Sequence, residues 1–264
     1  MKKLIFSLVL LSYGVIAYSQ SSGKIMPVTA ASKSALSLYK KALEYYDAVN
    51  IERATETFND ALREDPDLFM ANYHLALYYL MNQSWDNFRR YSYAVINCKA
   101  RLSEGEELLK EALVRLRNGD ADVTGPGRKL VDLYPGDPNS YSHLISFQSL
   151  NGDIEGMTET IKKAITIAGN PAPFYNQLGY AYINLNQEEK AKEAFDRYIE
   201  LDPKNPNVYD SKGDYFMYVR QYDRAYESYM KAHSIDPSFS EEKARMAKRL
   251  FEQENGRELQ IIIM

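Results

Sequence analysis

The 264-residue chain has little of what most often carries chemistry. Its single cysteine, Cys98, excludes an intramolecular disulfide. Its neighbours "YAVINCKA" read as helical, which points to a buried, inert thiol. The three histidines, His74, His143 and His233, form no His-x-x-x-His pattern and have no cysteine at zinc-site spacing. His74 and His143 fall in similar places of separate helices and are expected to be held far apart by the helices between them. No Gly-x-Ser-x-Gly elbow and no glycine-rich nucleotide fingerprint occurs. "GPGRK", 125–129, lacks the Walker spacing and the Ser or Thr after lysine. Asp120, Asp122, Thr124 and Gly125 resemble half a calcium loop, but position twelve would be Val131. The chain is also short of positive charge, with 32 Lys and Arg against 36 Asp and Glu and a net charge of −4. The basic face that grips nucleic acid is therefore missing. Acids and bases alternate along helix faces, as in "EEKAKEAFDR", where such pairs solvate and mildly stabilise a helix. These absences point to a chain that is not an enzyme, with no cofactor, metal or small-molecule substrate.

Long apolar runs are absent except at the start. "MKK" precedes "LIFSLVLLSYGVIAYS", and Ala17-Tyr18-Ser19 offers small residues ahead of Gln20. A charged start, a short apolar middle and a small-residue exit are the layout of a secretory signal peptide over 1–19. The apolar part is short for a span of about 20 residues, so the membrane is met only through this cleaved segment. No cysteine follows it to take a lipid. The expectation is export to the periplasm or cell envelope, a leader over 20–34, and a net charge falling from −4 to about −6 on loss of Lys2 and Lys3.

What is plentiful is tyrosine, 22 residues against 10 Phe and 1 Trp, and a period. Asp65-Pro66, Asp202-Pro203 and Asp236-Pro237, with Tyr134-Pro135 at a related place, recur at multiples of about 34 residues. Units follow near 35–68, 69–103, 104–137, 138–171, 172–205 and 206–239. Tyr175, Gly179, Ala191 and Phe195 of the fifth match Tyr209, Gly213, Ala225 and Tyr229 of the sixth. Each unit reads as two helices of roughly 14 residues, with Leu178, Tyr182 and Leu185, then Ala191, Phe195 and Tyr198, at helical spacing. Small residues at 179 and 191 let the two helices approach, and Phe195 fills the space beside them. The residue before each proline is driven out of the helical region, which ends the second helix.

The units resemble tetratricopeptide repeats, through Tyr175, Leu178-Gly179, Tyr182, Ala191, Phe195 and Pro203, through their sixth-unit counterparts, and through Ala42, Tyr45, Ala54, Phe58, Ala61 and Pro66 of the first. Units two to four are weaker, with Ile145 where glycine is usual. The order of segments from "LSEGEELLKEAL" to "YIELDPKNPNVYDSKGDY" is also similar to a group of exported bacterial repeat proteins. The fold class that follows is all-α, an α-solenoid: a right-handed superhelix of about six hairpins with a capping helix over 240–256 and an apolar tail over 257–264. In the cap, Met246, Leu250 and Ala247 are expected to face inward, Lys243 and its charged neighbours outward, and Gly256 to stop the helix. The third unit is irregular. Ser103 and Glu106 suit a capping box, but Gly125-Pro126-Gly127 predicts a loop at 118–125 and a short helix from near Pro126.

The resemblance implies a non-catalytic scaffold for protein–protein interaction, with a partner peptide or helix held in a concave groove lined by first helices. By position, units one and two would present Tyr39, Leu43, Tyr46, Tyr73, Leu77 and Met81. Units four to six would present Ser142, Ser146, Asn176, Tyr180, Asn184, Asp210, Asp214 and Tyr218. Several of these tyrosines could equally pack between repeats. The Lys and Arg of a chaperone carboxylate clamp are absent from the matching places. The alternative is a structural subunit of an envelope assembly docked through its convex face or its ends, for which the terminal "LQIIIM" speaks.

Overall fold

The computed structural model describes residues 24–263 apart from 48 and 121, with only the backbone described over 256–263. The expected signal peptide, 1–19, and the start of the leader lie outside the described residues. Among the described residues there are thirteen helices and no strand. They pair in order as hairpins: α1 (Lys33–Asp47) with α2 (Ile51–Glu64), α3 (Phe69–Met81) with α4 (Trp85–Ile96), and α5 (Glu104–Asn118) with α6 (Thr124–Leu133). Then come α7 (Pro138–Leu150) with α8 (Ile154–Ile167), α9 (Ala172–Asn184) with α10 (Glu188–Leu201), and α11 (Pro206–Tyr218) with α12 (Tyr222–Ile235). The last helix is α13 (Glu241–Ile263). The chain is all-α and of the helix-hairpin solenoid class.

The period is written in the backbone at both ends of each hairpin. Inside every hairpin one residue turns left-handed: Val49, Gln83, Gly119, Gly152, Asn186 and Arg220. The next N–H then reaches back five residues, as from Asn50 to Tyr45, Asp153 to Gln148 and Gln221 to Phe216, at 2.8–2.9 Å. This satisfies the last carbonyls of the first helix. Between hairpins, Asp65, Tyr134, Asp202 and Asp236 sit at φ of −131° to −143° and close α2, α6, α10 and α12. Each precedes a proline, whose ring forbids the helical region there.

Val49 is the costly member of the turn set. A β-branched residue at φ 60° is a steric outlier. Left-handed backbone costs an L-residue about 1–2 kcal/mol, and glycine's extra freedom in the unfolded chain returns about half of that. Val49→Gly is therefore expected to raise stability by roughly 0.5–1 kcal/mol, seen as a higher urea midpoint with an unchanged slope.

The third unit behaves as its composition demands. Ser103 and Glu106 form the capping box at the start of α5. The second helix is shortened to ten residues and begins at Thr124, two residues before Pro126. Proline is tolerated there because the first four N–H groups of a helix have no intrahelical partner. Asp122 accepts from the Thr124 N–H at 2.8 Å and from its hydroxyl at 2.6 Å, which places the turn.

The chain divides into two compact units, Met1–Asn170 and Pro171–Met264. In the first, one apolar core runs from Met26 through Tyr39, Phe58, Phe69, Leu75, Leu113 and Leu130 to Phe147. Gly127 of α6 lies against α7, where a Cβ would meet Phe147 at 2.8 Å. In the second, Gly179 of α9 lies against the Phe195 ring of α10, and a Cβ would stand 2.6 Å from Cε1 and Cζ. Gly213 stands in the same relation to Tyr229. Gly179→Ala in an open helix would gain up to about 1 kcal/mol of propensity. Here it must push a fully buried ring, at about 1–3 kcal/mol. The expected net is a loss of up to about 2 kcal/mol in chemical denaturation.

The terminal helix differs from expectation. It continues through Gly256 to Ile263. An interior glycine costs about 1 kcal/mol but does not stop a helix unless it turns left-handed. Ala244 and Ala247 face inward, Met246 is 49% exposed, and Phe251 is 40% exposed. Inward positions carry the small residues because α13 lies close on α12, and Lys243 is not a solvated outer residue.

Candidate protein-binding surface

In the second unit the first helices α9 and α11 carry six of the residues that the sequence places in the groove. Tyr180 donates its hydroxyl to Asp214 Oδ2 at 2.8 Å, one period along the chain. Tyr229 of α12 donates to Asp214 Oδ1 at 2.7 Å. Tyr218, half-buried, donates to Asn186 Oδ1 at 3.1 Å, just beyond the end of α9. Asn184 is exposed and its amide donates back to the Tyr180 carbonyl at 2.9 Å, leaving its Oδ1 for another molecule. Asn176 is buried, with its Oδ1 unpartnered. These side chains meet because residues 34 apart occupy equivalent places on neighbouring first helices.

The central element is one that charge counting missed. Lys243, near the start of α13, bonds Asp210 Oδ2 at 2.7 Å and the two Asp214 oxygens at 2.9 and 3.0 Å. Ser240 donates to the second oxygen of Asp210. Burial pushes the Asp210 carboxyl above its ordinary value despite the opposing charge of Lys243. Burial opposes the ammonium of Lys243 too, but Asp214 and Asp210 outweigh it and hold its pKa above the lysine norm. Burial and then the Asp214 charge drive Tyr180 and Tyr229 far above the phenol range, so both stay protonated donors. Two carboxylates against one ammonium leave the site one negative charge in excess. It offers acceptors and aromatic edges. The signal that could have found Lys243 is again the period, since it lies 33 residues after Asp210.

In the first unit the selected residues are mostly inside. Tyr39, Tyr46, Tyr73, Leu77, Ser142 and Ser146 are buried, Leu43 is half-buried, and Met81 at the end of α3 is exposed. Tyr39 and His74 Nε2 are hydrogen-bonded at 3.1 Å, and Phe58 stacks on His74 at 5.5 Å. The expectation that His74 and His143 lie far apart is overturned: their ring centroids are 6.1 Å apart, and Tyr73 meets His143 edge-on at 5.5 Å. Side chains of α3 and α7 thus meet directly in the core, although a whole hairpin separates them in sequence. Burial lowers the His74 pKa to about 3, and burial with the neighbouring His74 lowers that of His143. Cys98 is half-buried, donates to the Asp67 carbonyl at 3.3 Å, and is held above the usual thiol pKa mainly by burial. No helix among the described residues is long and apolar enough to cross a membrane.

Helix hairpins in series, with a buried glycine against an aromatic ring in each of the last two, define a helix-hairpin repeat protein. Residues 172–205 and 206–239 each match the tetratricopeptide repeat, with the boundaries that the Asp-Pro period gives. No curated protein matches the chain significantly. Among solved structures, the chain is similar to TTC0263, a thermophilic TPR protein of Thermus thermophilus, at 18% identity over 82% of this chain and 98% of that one, with a TM-score of 0.49. It is similar to MamA at 19% identity over 76% and 95%, with a TM-score of 0.44. It is also similar to a chain of the APC/C hetero-tetramer Cut9–Hcn1 at 17% identity over 83% and 42%, with a TM-score of 0.48. Tetratricopeptide repeats are in general non-catalytic modules that bind other proteins.

Proposed function

We propose that this chain is a non-catalytic scaffold of the bacterial cell envelope, exported by its N-terminal segment, that holds a partner peptide or helix on the α9–α11 face. The observation that carries this reading is the fixed array of Tyr180, Asn184, Asp214 and Tyr218. Two inter-repeat hydrogen bonds hold the rings, and an amide oxygen and an excess negative charge remain to receive N–H or cationic donors. Rigid tyrosines give contact area at little entropic cost. The test replaces Tyr180, Asn184 and Tyr218 together by Ala and compares retention of the partner in detergent-solubilised envelopes. Retention should fall at least tenfold with an unchanged circular dichroism spectrum, and unchanged retention contradicts the reading.

A second reading, a structural subunit docked through its outer surface or its end, has its own observation. Trp85 and Tyr93, two turns apart on α4, are 55% and 64% exposed, and α13 ends in "LQIII". Deleting residues 257–264 separates the two. Loss of assembly with the α9–α11 face intact favours docking, and no effect favours the face.

A further inference from the structure

Residues 24–31 have no repeat period and read in sequence as a linker, yet the first unit treats them as a ligand. The segment runs without helix or strand across the ends of three helices. The Ala31 N–H donates to Asp65 Oδ2 at 2.7 Å, the Thr29 N–H to Glu106 Oε1 at 2.9 Å, and the Met26 N–H to Asp137 Oδ2 at 3.0 Å. These carboxylates close α2, open α5 and open α7, and each is nearly fully buried.

Two of them serve in two directions at once. Asp137 gives Oδ1 to the N–H of Asn139 as the cap of α7 and turns Oδ2 to Met26. Glu106 gives Oε2 to the N–H of Ser103 in the capping box and turns Oε1 to Thr29. Side chains add register. The Thr29 hydroxyl bonds Glu106 Oε2 at 2.6 Å, and the Ser103 hydroxyl donates to the Pro27 carbonyl at 3.2 Å. Met26 is buried over Gly105 and beside Tyr134, where any Cβ on residue 105 would stand 2.6 Å from Met26 Cγ. Pro27, which has no N–H, falls between donors.

We infer that Asp65, Glu106 and Asp137, with the Gly105–Tyr134 slot, form a peptide-binding track separate from the α9–α11 face, and that residues 24–31 of this chain are its resident ligand. The track reads backbone N–H groups at three places spaced three and two residues apart, and one long, unbranched apolar side chain. A buried acceptor left without its donor is unfavourable, so occupancy of the track and order in the first unit are linked. The leader is thus a strap whose engagement the rest of the unit requires, and whose withdrawal bares three carboxylates in a row.

The experiment uses the full chain with a specific protease site inserted between Ala31 and Ser32, folded and then cut in place. The leader fragment should stay bound through gel filtration and be displaced by excess labelled synthetic peptide covering residues 20–31. The chain should melt at least 8 °C lower once the fragment is removed. A peptide N-methylated at Met26 and Thr29 should bind at least tenfold more weakly. Release of the fragment on cutting with no change in melting overturns the inference, as does equal binding of the N-methylated peptide. On the uncut chain, amides of Met26, Thr29 and Ala31 should exchange at least a hundredfold slower than in the free peptide, and free-peptide rates there would equally overturn it.

Discussion

Lys243→Met is expected to destabilise residues 171–264 by about 2–3 kcal/mol at pH 7.5, and to do so less as the pH falls. The substitution keeps the aliphatic stem and removes only the ammonium that bonds Asp210 and Asp214. Removing one partner of a buried ion pair costs about 3–5 kcal/mol because the other charge is left uncompensated. The side chain of Lys243 is a third exposed and that of Asp214 about a fifth, so solvent screening trims the figure. The pH dependence follows from Asp210. Its folded pKa already lies above the ordinary value because burial outweighs Lys243, and loss of Lys243 raises it further. A carboxyl whose folded pKa exceeds its unfolded pKa contributes stability below the unfolded value, which is lost as pH rises through the folded one. The gap between wild type and variant should therefore narrow from pH 7.5 towards pH 4. Urea titrations followed by circular dichroism at several pH values check this, and Asp214→Asn should restore at least 1 kcal/mol in the Lys243→Met background. A constant gap at all pH values would mean that packing, not charge, sets the cost.

Acid should open the first unit through its histidines. His74 has a folded pKa of about 3 because it is buried, against about 6.5 in the unfolded chain. A lowered histidine must be neutral to fold, so its contribution is complete above pH 6.5 and is lost as pH falls towards 3. The linkage amounts to about 3 kcal/mol by pH 4, and His143, lowered by burial and by His74, adds in the same direction. His74→Phe with His143→Phe should give a flatter stability profile between pH 7 and 4, even if the loss of the Tyr39 bond lowers its level at pH 7.5. Trp85, the sole tryptophan, reports on this unit. An unchanged profile in the double variant would mean that carboxylates alone govern the acid response.

Much of the architecture was legible because it rests on local sterics. Proline dictates the backbone of the residue before it, so Asp65, Tyr134, Asp202 and Asp236 mark the ends of second helices from sequence alone. The Gly179–Phe195 and Gly213–Tyr229 contacts follow from size complementarity within one hairpin. The short α6 follows from Pro126. What was hidden is non-local. Helical spacing fixes the face on which His74 and His143 lie but not which faces meet, so their contact could not be read. Lys243 looked solvated because a lysine on a terminal helix usually is, and the only cue to the contrary is that it falls 33 residues after Asp210, close to one period. Gly256 carried a stop signal that needs a left-handed turn to act. Residues 24–31 have neither period nor amphipathic face, and their order comes from partners 34 to 111 residues away.

The most direct measurement of the central claim is site-specific photocrosslinking in intact cells, with a photoreactive residue placed at Asn184, at Tyr218 and, for comparison, at Tyr93. A surface for another protein on α9 and α11 predicts one discrete adduct of the same added mass from positions 184 and 218 and none from 93. Adducts from position 93 alone, or no adduct from either first-helix position, would contradict it.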